Sequence, residues 1–150
     1  MAFITDLPNV KGYNQYWVIV DRFTKMAHLI TLKNRKVKEL VLNFVREVWR
    51  LPALPKRVTS DRDTVFMSSL WSEVMRMLEF ELDKSSACHS QTAGETERVN
   101  QILEHYLCTY CVWDQDDWVD LLPFAEFCYN KTVHTITKQT PFFAAYHQYP

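Results

Sequence analysis

The sequence has little of what loosens or cross-links a protein chain. Its 150 residues contain two glycines and four cysteines, and the cysteines lack the spacing of a disulfide framework. Hydrophobic residues make up 47% of the chain, which excludes a disordered or linker-rich protein. We therefore expect a single ordered domain over residues 1–150 in a reducing, intracellular setting. Because no apolar run approaches the roughly 20 residues that cross a bilayer, we expect no membrane partner.

Net charge is also nearly absent, at minus one, but the charges are unevenly distributed. Residues 1–57 carry eleven Lys and Arg against four Asp and Glu, whereas residues 58–150 carry six against fourteen. A basic first segment that includes Lys33, Arg35 and Lys36 suits the phosphates of a nucleic acid. A solvated protein surface explains the same charges, so both interpretations stay open.

Three short apolar runs at the start of the chain predict β-strands. They cover residues 2–7, 15–23 and 26–32, and they follow one another closely enough for antiparallel pairing. Two further strands are predicted at residues 57–60 and 80–83.

Helices are predicted between and after these strands. The spacing of apolar residues from Val37 to Leu51 indicates an amphipathic helix that Pro52 ends. Further helices are expected at residues 68–79, 94–113 and 118–130. The alternation of strands and helices predicts an α/β layered domain.

The helix at residues 94–113 divides into two faces at 100° per residue. Glu97, Gln101 and Glu104 fall on the polar face. The apolar face, which we expect to be buried, comprises Val99, Ile102, Leu103, Tyr106, Leu107 and Tyr110.

Two acids occupy positions typical of reactive groups. Asp61 directly follows the predicted strand at residues 57–60, where α/β sheets commonly bind ligands, and Glu97 lies near the start of a helix. Carboxylate pairs suit hard divalent cations such as Mg²⁺, and two such ions can act together in phosphoryl transfer. By composition alone, Asp61 is as readily a turn residue.

Several blocks of the sequence, in one order, resemble the catalytic core of a retroviral-type integrase, most closely those of gypsy-type LTR retrotransposons. The blocks are FITDLP, VIVDRFTKMAHLI, LPKRVTSDRD, HSQTAGETERVNQIL, QDDWVDLLPFAEFCYN and TPFFAAYHQYP. The resemblance covers nearly the whole chain. It implies a ribonuclease-H-like α/β fold, with a five-stranded mixed sheet flanked by helices.

The resemblance also implies which residues form the site. In the family three carboxylates hold two Mg²⁺ or Mn²⁺ ions. The second falls on Asp61 and the third on Glu97, with 35 residues between them as in the family. The first belongs in the first strand, where related sequences read Met-Asp-Phe-Ile and this chain reads Met1-Ala2-Phe3-Ile4. Ala2 has no ligand atom, so the resemblance implies a weakened metal site and absent or very weak catalysis.

Asp6 and Asp63 are poor substitutes for the missing acid. Asp6 lies four residues beyond Ala2, which on an extended strand is roughly 13 Å, against about 4 Å between two paired metal ions. Asp63 lies in the loop after Asp61, and the family does not use it as a ligand.

DNA is the partner that the resemblance implies, as element ends and as target DNA. The family's DNA path runs beside the loop before Glu97, where this chain departs from the usual pattern at Ser90, Ala93 and Glu95. An added negative charge there weakens phosphate binding. The residues expected to contact nucleic acid are Gln91, Thr92, Gly94, Gln101, Lys33, Arg35 and Lys36.

Three functions remain open at this stage. The first is DNA 3′-end processing and strand transfer, in the nucleus and by a homodimer formed through core helices. The second is a non-catalytic DNA-binding or dimerisation module of the same fold, which Ala2 favours. The third is a ribonuclease H or other nuclease, which the SDRD and TERVN blocks disfavour. The family's zinc-binding and C-terminal DNA-binding domains are expected to be absent from these residues.

Overall fold

We describe the fold from a computed structural model of the chain, which describes residues 1–48, 56–60, 63–84, 98–102, 104–107 and 117–150. The chain forms two compact units: one comprises residues 2–33 and 95–150, the other Met1 and residues 34–94. The described elements are β1 (Ala2–Ile4), β2 (Gln15–Val20), β3 (Ala27–Leu32), α1 (Val37–Glu47), β4 (Arg57–Ser60), α2 (Ser69–Met77), β5 (Glu81–Lys84), the helical residues 98–102 and 104–107 (α3), α4 (Trp118–Lys131) and α5 (Pro141–Tyr146).

The unit of residues 2–33 and 95–150 contains a three-stranded antiparallel sheet in the order β1-β2-β3. Ala2 pairs with Val18, and Val18 pairs in turn with Leu29. Helix α4 packs on β3, and α5 packs on α4. The apolar core between sheet and helices consists of Val10, Tyr16, Val18, Ala27, Val99, Leu107, Trp118, Leu122, Ala125 and Tyr129.

Two polar side chains of α4 bind the outer backbone edge of β3. The Asn130 amide accepts from the Ala27 N–H at 2.9 Å and donates to the Ala27 carbonyl at 2.8 Å. One turn earlier, the Glu126 carboxylate accepts from the Leu29 N–H at 2.8 Å. Four residues of helix rise about 6 Å and two residues of strand about 6.7 Å, so the spacings match. These bonds satisfy backbone groups that an edge strand otherwise leaves open.

The unit of Met1 and residues 34–94 contains β4 and β5, which pair in parallel. Aromatic rings form its core: Phe44 on α1 lies 5.7 Å from Trp71 on α2 and 5.9 Å from Phe80, measured between ring centroids. Phe66 lies 5.2 Å from Trp71. All four rings are buried, and their edge-to-face contacts contribute to the interior of this unit.

The predicted strands and helices are confirmed wherever the structure describes them, with ends that differ by a few residues. The expected burial of Ile102 is wrong, since 47% of it is exposed, and Val45 in α1 is likewise exposed. Apolar periodicity identifies the buried side of a helix, but the neighbouring elements decide how wide the buried stripe is. Helix α5 was not predicted, although Thr140 as N-cap and Pro141 at its first turn are a recognisable start signal.

The expected five-stranded sheet is a further difference. The five described strands form two sheets. Strands β1, β2 and β3 pair in one unit, and β4 pairs with β5 in the other. Among the described residues, no helix has both the length and the apolar character needed to cross a bilayer.

Candidate functional site

Ala2, the position of the missing acid, lies at the start of β1. It pairs with Val18 in the antiparallel ladder and is half-buried. A methyl group at this position offers no oxygen to a cation. The strand is in place, but the ligand that the resemblance assigns to it is not.

The loop after β4 is organised by Asp63. Its carboxylate accepts from the Val65 N–H at 3.0 Å, and its other oxygen binds the Arg35 guanidinium at 2.6 Å. Asp63 thus binds the backbone of its own loop and Arg35. Asp61 lies outside the described residues.

Strand β4 ends at the buried Ser60, the residue before Asp61. The main-chain nitrogen of Met1 donates to the Thr59 carbonyl at 3.0 Å, within the same unit. The backbone immediately before Asp61 is therefore fixed by the pairing of β4 with β5 and by this bond.

Helix α3 has the polar face that the sequence predicts. Gln101 and Glu104 are exposed, whereas Val99 and Leu107 are buried. Glu97 lies outside the described residues, as do Gln91, Thr92 and Gly94.

Two buried polar atoms, missed by the sequence reasoning, lie on α3 and on β2. Among the described residues, neither the Asn100 side-chain oxygen nor the Tyr16 hydroxyl has a hydrogen-bond partner. Burial raises the pKa of Tyr16 well above its ordinary 10.0, and the nearby Glu104 carboxylate raises it further. Tyr16 therefore stays neutral, as a buried hydroxyl must in an apolar core. No sequence pattern marks either atom, because burial of a single polar atom depends on packing.

The basic residues expected to contact nucleic acid differ in their surroundings. Lys33 follows β3, is exposed, and its ammonium lies 5.0 Å from the centroid of the Tyr13 ring. Arg35 binds Asp63, as described above. Lys36 precedes α1 as its N-cap and makes no side-chain cap bond.

Within the described residues, no three His, Cys, Asp or Glu side chains are grouped as a metal site requires. The hard carboxylate oxygens of Asp61 and Glu97 are suitable in kind for Mg²⁺. However, the methyl group of Ala2 leaves the three-carboxylate set incomplete. The residues present therefore do not fit the complete two-ion site.

Comparison with known proteins yields relatives of one kind. No protein-family model matches the chain. The Tf2-3 and Tf2-4 transposon polyproteins of Schizosaccharomyces pombe are each 36% identical to it over 143 residues, which is 95% of this chain. The chain spans only 11% of the length of these polyproteins.

Solved structures with the same fold include integrases. The catalytic core of HTLV-2 integrase, determined in complex with magnesium, superposes with a TM-score of 0.70 at 19% identity, over 95% of this chain and 100% of that core. The catalytic core of BIV integrase superposes with a TM-score of 0.71 at 18% identity, over 97% of this chain and 93% of that core. The chain is homologous to Tf2 retrotransposon polyproteins, and it has the fold of retroviral integrase catalytic cores. Its retrotransposon relatives agree with a gypsy-type origin.

A third structure shows the integrase fold in an assembly. The intasome of simian T-cell lymphotropic virus, in complex with a PP2A regulatory subunit, contains a chain that matches at a TM-score of 0.75 and 18% identity. The match covers 93% of this chain and 51% of that chain. These likenesses establish a ribonuclease-H-like α/β fold for the core described here.

Proposed function

We propose that this integrase core derives from an enzyme of DNA 3′-end processing and strand transfer, dependent on Mg²⁺ or Mn²⁺, and that Ala2 leaves it inactive or very weakly active. The observation that carries the proposal is the position of Ala2 on an intact β1, paired with Val18. We infer that the single five-stranded sheet and the roles of Asp61 and Glu97 as metal ligands follow the family, since the relatives are integrases.

The proposed partners are DNA, as element ends and target, and a second copy of the chain. Exposed apolar side chains on α4 support self-association through helices, since 63% of Phe124 and 48% of Phe127 are exposed. The HTLV-2 core was determined in a trimeric form, which supports association of such cores in general. Work on chromosomal DNA implies a nuclear location. Residues 1–150 are proposed as one catalytic core domain.

Ala2 itself favours a second candidate, a non-catalytic DNA-binding or dimerisation module of the same fold. A chain that has lost one of three metal ligands can keep its fold and its surface, because β1 pairs through backbone bonds that do not involve the side chain.

The test is strand transfer and disintegration on a branched DNA substrate with Mg²⁺ or Mn²⁺, for the unmodified chain, Ala2→Asp and Ala2→Asn. We expect activity only in Ala2→Asp, because Asn has the same shape but lacks the charge that holds a divalent cation. Circular dichroism of all three proteins checks that they fold alike.

The other outcomes separate the two candidates. Activity in the unmodified chain means that another group completes the site and that the assignment at position 2 is wrong. DNA binding without activity in any variant favours the non-catalytic module.

A further inference from the structure

The last residues of β1 and of β3 lie at the same end of the three-stranded sheet. Both strands are antiparallel to β2, so they run in the same direction. Ile4, the last residue of β1, pairs with Tyr16, and Leu32, the last residue of β3, pairs with Gln15. The loop after β1 and Lys33 after β3 therefore leave the sheet at this end, on either side of the start of β2.

The loop between β1 and β2 ends in a tight turn that orients the Tyr13 ring. Val10 and Tyr13 exchange two backbone hydrogen bonds of 2.8 Å, and the Gly12 N–H donates to the Asn9 side chain at 3.2 Å. Gly12 has a φ of +85°, which non-glycine residues rarely adopt, so the sequence needs glycine there.

The Lys33 side chain lies along this turn. Its Cε and Cδ are 3.8 and 3.9 Å from the position that a Cβ on Gly12 would take, and its ammonium is 5.0 Å from the centroid of the Tyr13 ring. The ring face attracts the cation and limits the freedom of a long side chain. The N–H donors directed away from the ring remain available to a ligand.

The neighbouring basic residue of this unit is neutralised by an acid. The Lys11 ammonium contacts both oxygens of Asp120, at 2.6 and 2.7 Å. In the part of the chain that the structure describes, no carboxylate pairs with Lys33. Lys33 is therefore an exposed positive charge beside a turn whose own lysine, Lys11, is already paired.

The sheet register gives the distance from this charge to the site strand. Ala2, Val18 and Leu29 form one row across the sheet, and Lys33 lies four residues beyond Leu29. Four residues at about 3.3 Å and two strand spacings of about 4.8 Å separate the Cα atoms of Ala2 and Lys33 by roughly 16 Å. That is the rise of about five base pairs of duplex DNA.

We propose that Lys33 binds a backbone phosphate of DNA about five base pairs from the Ala2 position, and that Tyr13 is the positioning residue that holds its ammonium. The proposal rests on DNA as the partner in the proposed function. It adds Tyr13, which no sequence motif marks, and it distinguishes Lys33 from Arg35, whose charge Asp63 offsets at 2.6 Å.

The test is the affinity of the full chain for a fluorescent DNA duplex, measured by anisotropy over a range of salt concentrations. The variants are Lys33→Gln, Tyr13→Leu, Tyr13→Phe and the double change Lys33→Gln with Tyr13→Leu. Lys138→Gln is the matched control, because Lys138 is an exposed lysine in the same unit.

We expect Lys33→Gln to lower the slope of log affinity against log salt by about one and Lys138→Gln to leave it unchanged. Tyr13→Leu should weaken binding about two- to fivefold, because a Lys33 side chain that the ring no longer holds loses rotamer freedom on binding. Tyr13→Phe keeps the ring and should bind as the unmodified chain does. In the Lys33→Gln background, Tyr13→Leu should have no further effect, because its role acts through the lysine.

Two results overturn the inference, and they differ in what else they affect. If the unmodified chain binds DNA and Lys33→Gln matches Lys138→Gln, Lys33 is not a phosphate contact, while DNA as partner still holds. If the unmodified chain binds no DNA at any salt concentration, the inference and the DNA partner of the proposed function fail together.

Discussion

The two units of this chain are stabilised by different contacts. In residues 34–94 the described interior contains a cluster of aromatic rings, with Trp71 in contact with both Phe44 and Phe66, together with buried aliphatic side chains such as Leu40 and Val58. In residues 2–33 and 95–150, polar side chains of α4 complete the edge of a sheet over an apolar core. Ring packing depends on volume, whereas edge completion depends on single hydrogen bonds. The units should therefore respond to different mutations.

The largest effect is expected for Trp71→Ala in the ring cluster. Trp71 is fully buried, so its removal leaves a large cavity and should lower the free energy of unfolding by about 3–5 kcal/mol. Chemical denaturation measures the change. Met77→Ala, on the same helix but 71% exposed, is the control and should change stability by less than about 0.5 kcal/mol. Equal losses in both variants would contradict a core based on these rings.

A smaller loss is expected for Asn130→Ala in the other unit. It leaves both the N–H and the carbonyl of Ala27 without the partners described above, which should cost about 2–3 kcal/mol of unfolding free energy. In Asn130→Ala, the hydrogen-exchange rate should increase most at the Ala27 amide. The exposed Asn14 of the same unit, changed to Ala, serves as control. An Ala27 amide that stays protected in Asn130→Ala would show that the α4 bonds do not hold the edge of β3.

The smallest effect on stability at neutral pH is expected for a change at Tyr16. Its effect should appear only in alkaline solution. Burial raises the pKa of Tyr16 above 10.0 in the folded state, so above pH 10 the unfolded chain loses the proton first. Below pH 10 Tyr16 is protonated in both the folded and the unfolded chain, so its contribution to stability is complete. Above pH 10 the free energy of unfolding should fall by about 1.4 kcal/mol per pH unit. Tyr16→Phe should remove this part of the decline. A variant with the same alkaline decline as the unmodified chain would refute the assignment, and Tyr149→Phe, 76% exposed, is the control.

The elements of the fold were predictable from the sequence because their signals are local. Alternation of apolar residues placed β1, β2 and β3, and the strand over residues 57–60 was predicted at its observed bounds. Helix α4 was predicted within one residue of its end. Ile102 shows where this reasoning stops, since an apolar residue on the correct side of a helix is exposed unless another element covers it.

For the candidate site, too, the sequence predicted some features and the structure supplied others. Family resemblance assigned Asp61, Glu97 and the vacated position 2, and the structure adds that Ala2 lies on a paired strand. The roles of Asp61 and Glu97 stay predictions, because both residues lie outside the described part of the chain. The pairing of Arg35 with Asp63 had no signal in the sequence, since 27 residues separate the two.

By itself the sequence determined the resemblance to integrase cores, the order of strands and helices, and the absence of an acid at position 2. These properties depend on residue identity and on spacings of a few residues along the chain. Only the tertiary structure decided that Asn130 completes the edge of β3 and that Tyr13 holds Lys33. Such contacts join residues that are distant in sequence, and their energies depend on distances of a few ångströms that strand pairing and helix packing fix.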